Sequence, residues 1–124
     1  MAEYQTSGKG QRGNSWESEY GKNLTFSTVF YPQTIAPASQ FILSMAVASA
    51  IRTALAHYVH ADCLQIKWPN DIYWKDKKIV GILIENDLTG SQISQSIIGI
   101  GININQEEFH SDKLLKRKQT EWKF

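Results

Sequence analysis

The sequence predicts an α+β domain, and three observations predict it. One long stretch, Pro37 to about Val59, repeats apolar residues at helical spacing. Around it lie runs rich in β-branched and aromatic residues, bounded by Pro, Gly, Asn and Asp, which read as strands. The length of 124 residues, 42% hydrophobic and 11% aromatic, suits one folded domain with one real core.

In the helical stretch, Phe41, Met45, Ala48, Ile51 or Arg52, and Leu55 recur on one face. Pro37 fits the first turn, and the small residues Ala46, Ala48, Ser49 and Ala50 permit close packing on a sheet. This segment is also the most apolar window, but Arg52 and several Ser and Thr residues favour a buried amphipathic helix over a membrane span.

The strands follow in order. Asn23 to Tyr31 is β-rich and ends at Pro32. Leu64 to Lys67 is short and leads into a turn. Ile72 to Trp74 and Lys78 to Glu85 form a hairpin joined by the polar link Lys75-Asp76-Lys77. Strict alternation from Lys78 places Lys78, Val80, Ile82 and Ile84 on one face, and Ile79, Gly81, Leu83 and Glu85 on the other. Nearly all are apolar, so this strand is expected to be central and covered on both sides. Asn86 to Ser91 reads as a loop, and Gln92 to Asn105 as a last strand in which Gly99, Gly101, Asn103 and Asn105 share a face.

Charge narrows the function. Thirteen basic and twelve acidic residues leave a net charge of +1, which gives no support to wholesale nucleic-acid or membrane binding. An anion site must therefore be local. The single cysteine, Cys63, excludes an intrachain disulfide framework and suits a reducing cytoplasm. The opening MAEYQTSGKGQRG has no apolar core of the kind a signal peptide needs.

Two stretches carry candidate chemistry. In SGKGQRGNSW, Gly8, Gly10 and Gly13 are interleaved with Lys9 and Arg12, so backbone N–H groups and two cations can gather around an anion, while Trp16 offers a flat apolar surface. The final Gly-Lys-Ser/Thr of a Walker A loop is absent. A solvated glycine loop is equally compatible with this segment alone. In KWPNDIYWKDKKIVGILIE, Pro69 and Asn70-Asp71 give a rigid polar turn next to a strand headed by Lys78. An ordinary hairpin would read the same way. His57, His60 and Cys63 are too few for a four-ligand metal site, so helix-end histidines and a small buried thiol are the expectation.

Taken together, AEYQTSGKGQRGNSW, KWPNDIYW, KKIVGILIE and IGIGININ resemble the catalytic domain of the biotin protein ligases, in that family's order and spacing, over about residues 2 to 106. The resemblance implies a mixed, largely antiparallel sheet flanked by helices, similar to lipoate ligases and class II aminoacyl-tRNA synthetase cores. It implies biotin, ATP and Mg2+ as ligands, a biotinyl-5′-AMP intermediate, and transfer to a lysine of a biotin carboxyl carrier domain. By the same resemblance Lys78 is the essential lysine and Asp71 its acidic neighbour, with a magnesium or lysine-activating role. Gln5, Gly8, Lys9, Gly10, Gln11 and Arg12 match the loop over biotin and the adenylate. Gly81 and Gly99 match the biotin pocket, and Trp16, Asn70 and Asn103 match the adenine contacts.

The chain departs from the family pattern at Lys9 and Gln11, where arginines are usual, with Arg12 next door as a substitute. The family's upstream Ser-Thr-Asn segment and its C-terminal β-barrel are not in this sequence, which reads as a catalytic domain truncated at both ends. Residues 1–110 are expected to form the partial catalytic domain and 111–124 a basic surface tail. A homodimer is compatible with the sequence. Two alternatives stay open: a lipoate- or octanoate-type acyl-adenylating ligase, and a non-catalytic fragment that keeps the fold.

Overall fold

The computed structural model describes residues 1–32 and 34–107, so the basic tail expected at 111–124 lies outside the described residues. Two short strands, β1 (Gly8–Lys9) and β2 (Ser15–Trp16), pair as a small separate hairpin. The main sheet contains β3 (Asn23–Phe30), β4 (Leu64–Lys67), β5 (Asp71–Trp74), β6 (Lys77–Thr89) and β7 (Gln92–Asn103). Its strand order is β3-β7-β6-β5-β4, and every pairing is antiparallel. One α-helix, α1 (Phe41–Leu55), crosses from β3 to β4 and packs on one face. The α+β class and the antiparallel sheet follow the sequence reading; among the described residues the flanking layer is this single α-helix.

The helix is shorter than its apolar pattern. Pro37–Ser39 forms a 3-10 turn, and regular helix runs only from Phe41 to Leu55. Its sheet-facing residues match the expected stripe at Ala48, Ile51 and Leu55 but differ from it in the first turns. Leu43 and Ala48 are buried, with Val47, Ile51 and Leu55 packed beside them, whereas Phe41 and Met45 are half exposed. Leu43, Val47, Ile51 and Leu55 recur every four residues and form one straight ridge, so the sheet selects that ridge over the other apolar stripe. Arg52 fixes the choice: its guanidinium donates to the carbonyls of Leu64 (3.2 Å) and Ala61 (3.1 Å), tying the end of α1 to the start of β4. The segment Pro37–Leu55 is long and apolar enough in composition to cross a bilayer, yet here it lies along the sheet.

The hairpins are tighter and longer than the sequence suggests. Lys77 pairs with Trp74, so the β5–β6 link is only Lys75-Asp76, with Lys75 at φ 56. The stretch expected as a loop, Asn86 to Ser91, instead extends β6 to Thr89, and Gly90-Ser91 makes the turn with Gly90 at φ 60. Cross-strand polar pairs explain this. Fully buried Ser96 donates to Asn86 Oδ1 (2.6 Å), and Gln95 donates to Asp87 Oδ2 (2.5 Å). Residues that look like loop are a polar ladder. Asn86 in turn donates to Gln40 Oε1 (2.8 Å), joining the ladder to the start of α1.

The core lies between α1 and the sheet. Ile72, Ile79 and Val80 have no exposed surface, and Leu64, Ile82, Ile98 and Ile100 complete the cluster with Leu43 and Ala48. At the start of β6 the register breaks: Val80 lies opposite Ile72, but Lys78 lies opposite Tyr73, so Ile79 is the extra residue of a bulge. This corrects the expected alternation. The bulge reverses the pleat and puts Lys78 on the face of Gly81 and Leu83, away from Val80 and Ile82.

Candidate active site

The face of the sheet opposite α1 carries a cavity of about 560 Å³. Register explains its shape. One row across the sheet reads Thr25, Gly101, Gly81, Asp71 and Lys67, and the next reads Ser27, Gly99 and Leu83. Glycine at three of these positions removes the side chains that would fill the space. A side chain begun at Gly99 would meet nothing closer than 3.7 Å, so this second row is an open trough.

The β1–β2 hairpin hangs over the first row. Its tip is self-bonded, Gly10 N–H donating to Asn14 O (2.6 Å) and Asn14 N–H to Gln11 O (3.0 Å). The Gly10 amide is thus committed within the loop. Charge at this end of the cavity comes from the Lys9 and Arg12 side chains, with Arg12 held at φ 54. Trp16, at the end of β2, lays its indole over the Gly81–Gly101 pair.

At the far side stands Lys78. Its Nζ lies 2.8 Å from Asp71 Oδ1 and 5.8 Å from the centre of the Trp16 ring. The lysine side chain is 38% exposed and the aspartate 20%, so this is a half-open ion pair facing the cavity. It is a charge contact more than an aligned hydrogen bond, since Asp71 Oδ1 has no donor in line with it. Thr25 Oγ1, Trp16 Nε1 and Asn103 Oδ1 are buried without a hydrogen-bond partner. Such atoms cost about 1–3 kcal/mol each, and two of the three belong to residues that line the cavity, Thr25 and Trp16.

The KWPND turn is braced from below. Asn70 donates its side-chain amide to Ile82 O (3.1 Å), and Ile82 N–H donates to Asn70 O (2.8 Å). Asn70 therefore holds the turn to β6 through both its backbone and its side chain. The Trp68-Pro69 peptide bond within this turn is cis.

Most residues singled out from sequence meet here. Gln5, Lys9, Gly10, Gln11, Arg12 and Trp16 line the cavity from the loop, and Asn70, Asp71, Lys78, Gly81 and Gly99 from the sheet. Gly8 and Asn103 stand outside the lining. Gly8 sits beneath the Trp16 carbonyl, where a side chain would come within 2.3 Å of that oxygen. Asn103 reaches toward Lys78 O at 3.5 Å, behind the lysine. Sequence reasoning missed Thr25, Ser27, Leu83 and Glu85, which also line the space. The period of two along β3 and β6 contains the signal for them, but only the register says which face matters. Among the described residues no three His, Cys, Asp or Glu side chains cluster as a metal cage.

A glycine-cleared cavity, roofed by a cationic loop and bordered by a lysine–aspartate pair, lies on the open face of this α+β sheet. Residues 1–103 match the biotin/lipoate A/B protein ligase family, and the chain belongs to it. It is 41% identical to the bifunctional ligase/repressor BirA of Escherichia coli over 106 residues, covering 84% of this chain and 32% of that protein. The chain thus spans about a third of that relative's length. It superposes on the biotin protein ligase of Leishmania major in complex with biotin with a TM-score of 0.73 and 31% identity, covering 95% of this chain and 49% of that one. The Aquifex aeolicus ligase in complex with biotin and ATP gives 0.63 and 31%, covering 89% of this chain and 44% of that one.

Proposed function

We propose that this chain is the adenylating core of a biotin–protein ligase. The observation that carries the reading is the Lys78–Asp71 pair, set by the β6 bulge so that both side chains line the cavity that contains the Gly99 trough. Biotin would lie with its ring system in the row of Ser27, Gly99 and Leu83, its chain passing Trp16 and its carboxylate reaching Lys78. Polar Ser27 at the trough wall suits a cyclic urea, which both donates and accepts hydrogen bonds.

The first step joins two anions. A carboxylate oxygen attacks the α-phosphorus of ATP, the bond to the β-phosphate oxygen breaks, and pyrophosphate leaves. Repulsion between carboxylate and phosphates is the main obstacle, so a fixed cation between them stabilises the transition state most. Lys78 fills that role, and Asp71 holds its ammonium in place. Lys9 and Arg12 add positive charge from the loop, with Gln11 between loop and ligand. The loop then shields the mixed anhydride from water. In the second step the neutral amine of an acceptor lysine attacks the carbonyl carbon, the amide forms, and AMP departs while the amine proton passes to solvent. The acceptor is the biotin carboxyl carrier domain of a carboxylase.

A magnesium ion brought with the nucleotide would supply charge neutralisation at the phosphates. Asp71 is the carboxylate that would face it, with one oxygen already in contact with Lys78. Trp16 would offer the ring face turned from the sheet to adenine, with Asn70 and Asn103 nearby. A thermal melt with biotin and with lipoate tests the substrate class. A ligand that binds only the folded state raises the midpoint. Stabilisation by biotin and not by lipoate supports the reading; stabilisation by lipoate alone contradicts it.

A further inference from the structure

We infer that Gly101 is a positioning residue: with Gly81 it forms a shelf that sets the height of Trp16, and through Trp16 the closure of the glycine loop over the adenylate. This rests on the ligase reading above and extends it to a residue with no ligand role of its own.

Gly81 and Gly101 face one another directly across β6 and β7. Neither has a positive φ, so backbone conformation does not require glycine at either position. Space does. A Cβ at Gly101 would lie 2.4 Å from Trp16 Cε2 and 2.5 Å from Cζ2; one at Gly81 would lie 2.6 Å from Trp16 Cζ3. The indole lies flat across both, one end over each glycine. The three nearest atoms to either added Cβ all belong to the indole, so the ring is the first group an added methyl displaces.

The residue that carries the ring is in turn part of the loop's own hairpin. Trp16 pairs with Gly8 in the β1–β2 hairpin, and the Trp16 carbonyl leaves no room for a side chain at Gly8. A movement of the indole that its own side-chain torsions do not absorb reaches the Trp16 backbone and, through the Gly8 pairing, the strand that carries Lys9 and leads into Gln11 and Arg12. The half-buried indole has its Nε1 buried without a partner, so no side-chain hydrogen bond resists the movement. Packing on the glycine shelf is what holds the loop down.

Substituting Gly101→Ala must lift the ring by about 1 Å to restore van der Waals contact, and displacements of that size typically change rates about tenfold to a hundredfold. The predicted defect is leakage. Adenylate still forms, but more of it escapes before transfer.

The test uses this chain, its Gly101→Ala and Trp16→Leu variants, and the double variant. A single turnover with biotin and Mg-ATP reads protein-bound against free biotinyl-AMP. Fluorine NMR of 5-fluorotryptophan-labelled protein reads the Trp16 environment, with the resonance assigned by its loss in Trp16→Leu. Gly101→Ala should raise the released fraction about tenfold or more and shift the Trp16 resonance. In the Trp16→Leu background the same substitution should change nothing further. An unchanged resonance with unchanged retention, or an equal effect in both backgrounds, overturns the inference. If circular dichroism shows Gly101→Ala unfolded, Gly81→Ala tests the other end of the shelf by the same readouts. If the unsubstituted chain forms no adenylate, the ligase reading fails, while the fluorine resonance still decides whether the shelf positions the ring.

Discussion

The two faces of the central sheet obey opposite rules. Facing α1, strands β5, β6 and β7 present Ile72, Val80, Ile82, Ile98 and Ile100, and every one is buried. Facing the loop, the same strands present Asp71, Gly81, Leu83, Gly99 and Gly101, so one charged group and three glycines stand where the other face has branched side chains. The first face is defined by what fills it and the second by what is withheld. One strand, β6, serves both, and the bulge at Ile79 adjusts the pleat so that Lys78 joins the second.

This comparison predicts that the core face suffers from subtraction and the cavity face from addition. The largest effect on folding belongs to Ile72→Ala. It removes a side chain with no exposed surface, and such a cavity costs about 2–5 kcal/mol, measurable by urea denaturation. A smaller loss would mean that the layer between α1 and the sheet can collapse around the gap.

Gly99→Val reverses the pattern. The first added atom fits, with its nearest neighbour 3.7 Å away, but the branched methyl groups project into the trough. Stability should stay within about 0.5 kcal/mol, while biotin affinity measured by calorimetry falls at least about tenfold, the cost of a 1.4 kcal/mol clash. Normal affinity in this variant would place biotin elsewhere in the cavity.

Asn70→Ala should have the smallest effect. It deletes the hydrogen bond to Ile82 O, worth about 1 kcal/mol net. The backbone bond from Ile82 N–H to Asn70 O remains. A loss well beyond that in nucleotide binding, with stability little changed, would show that the side chain touches the ligand as well as bracing the turn.

The core face was legible in the sequence because burial writes itself as apolar periodicity. The five strands of the main sheet and the long helix followed from that signal, though not the C-terminal extension of β6 or the helix's true length. Most residues that line the cavity were legible through KWPND, the lysine heading the next strand, and the glycine loop. What escaped reading depended on partners distant in sequence. KKIVGILIE is apolar at nearly every step, so nothing local marks Ile79 as a bulge. Asn86, Asp87, Gln95 and Ser96 look like loop until the strands are paired. Gly101 looked like a companion of Gly99, but Gly99 opens the trough while Gly101 lies beneath an indole that comes from Trp16. The helix stripe was right at Ala48, Ile51 and Leu55 and wrong at its start, because α1 has apolar residues on two sides there: Phe41, Ile42 and Met45 are each about half exposed while Leu43 is buried.

The most direct test of the account is biotin- and ATP-dependent pyrophosphate release by this chain beside Lys78→Ala. Removing a single cation that stabilises developing charge typically lowers the rate about a hundredfold or more. The account predicts release that requires both substrates and falls by that factor in the variant, with unchanged circular dichroism. Release that persists at the original rate in Lys78→Ala would contradict the assignment of the Lys78–Asp71 pair as the adenylating centre.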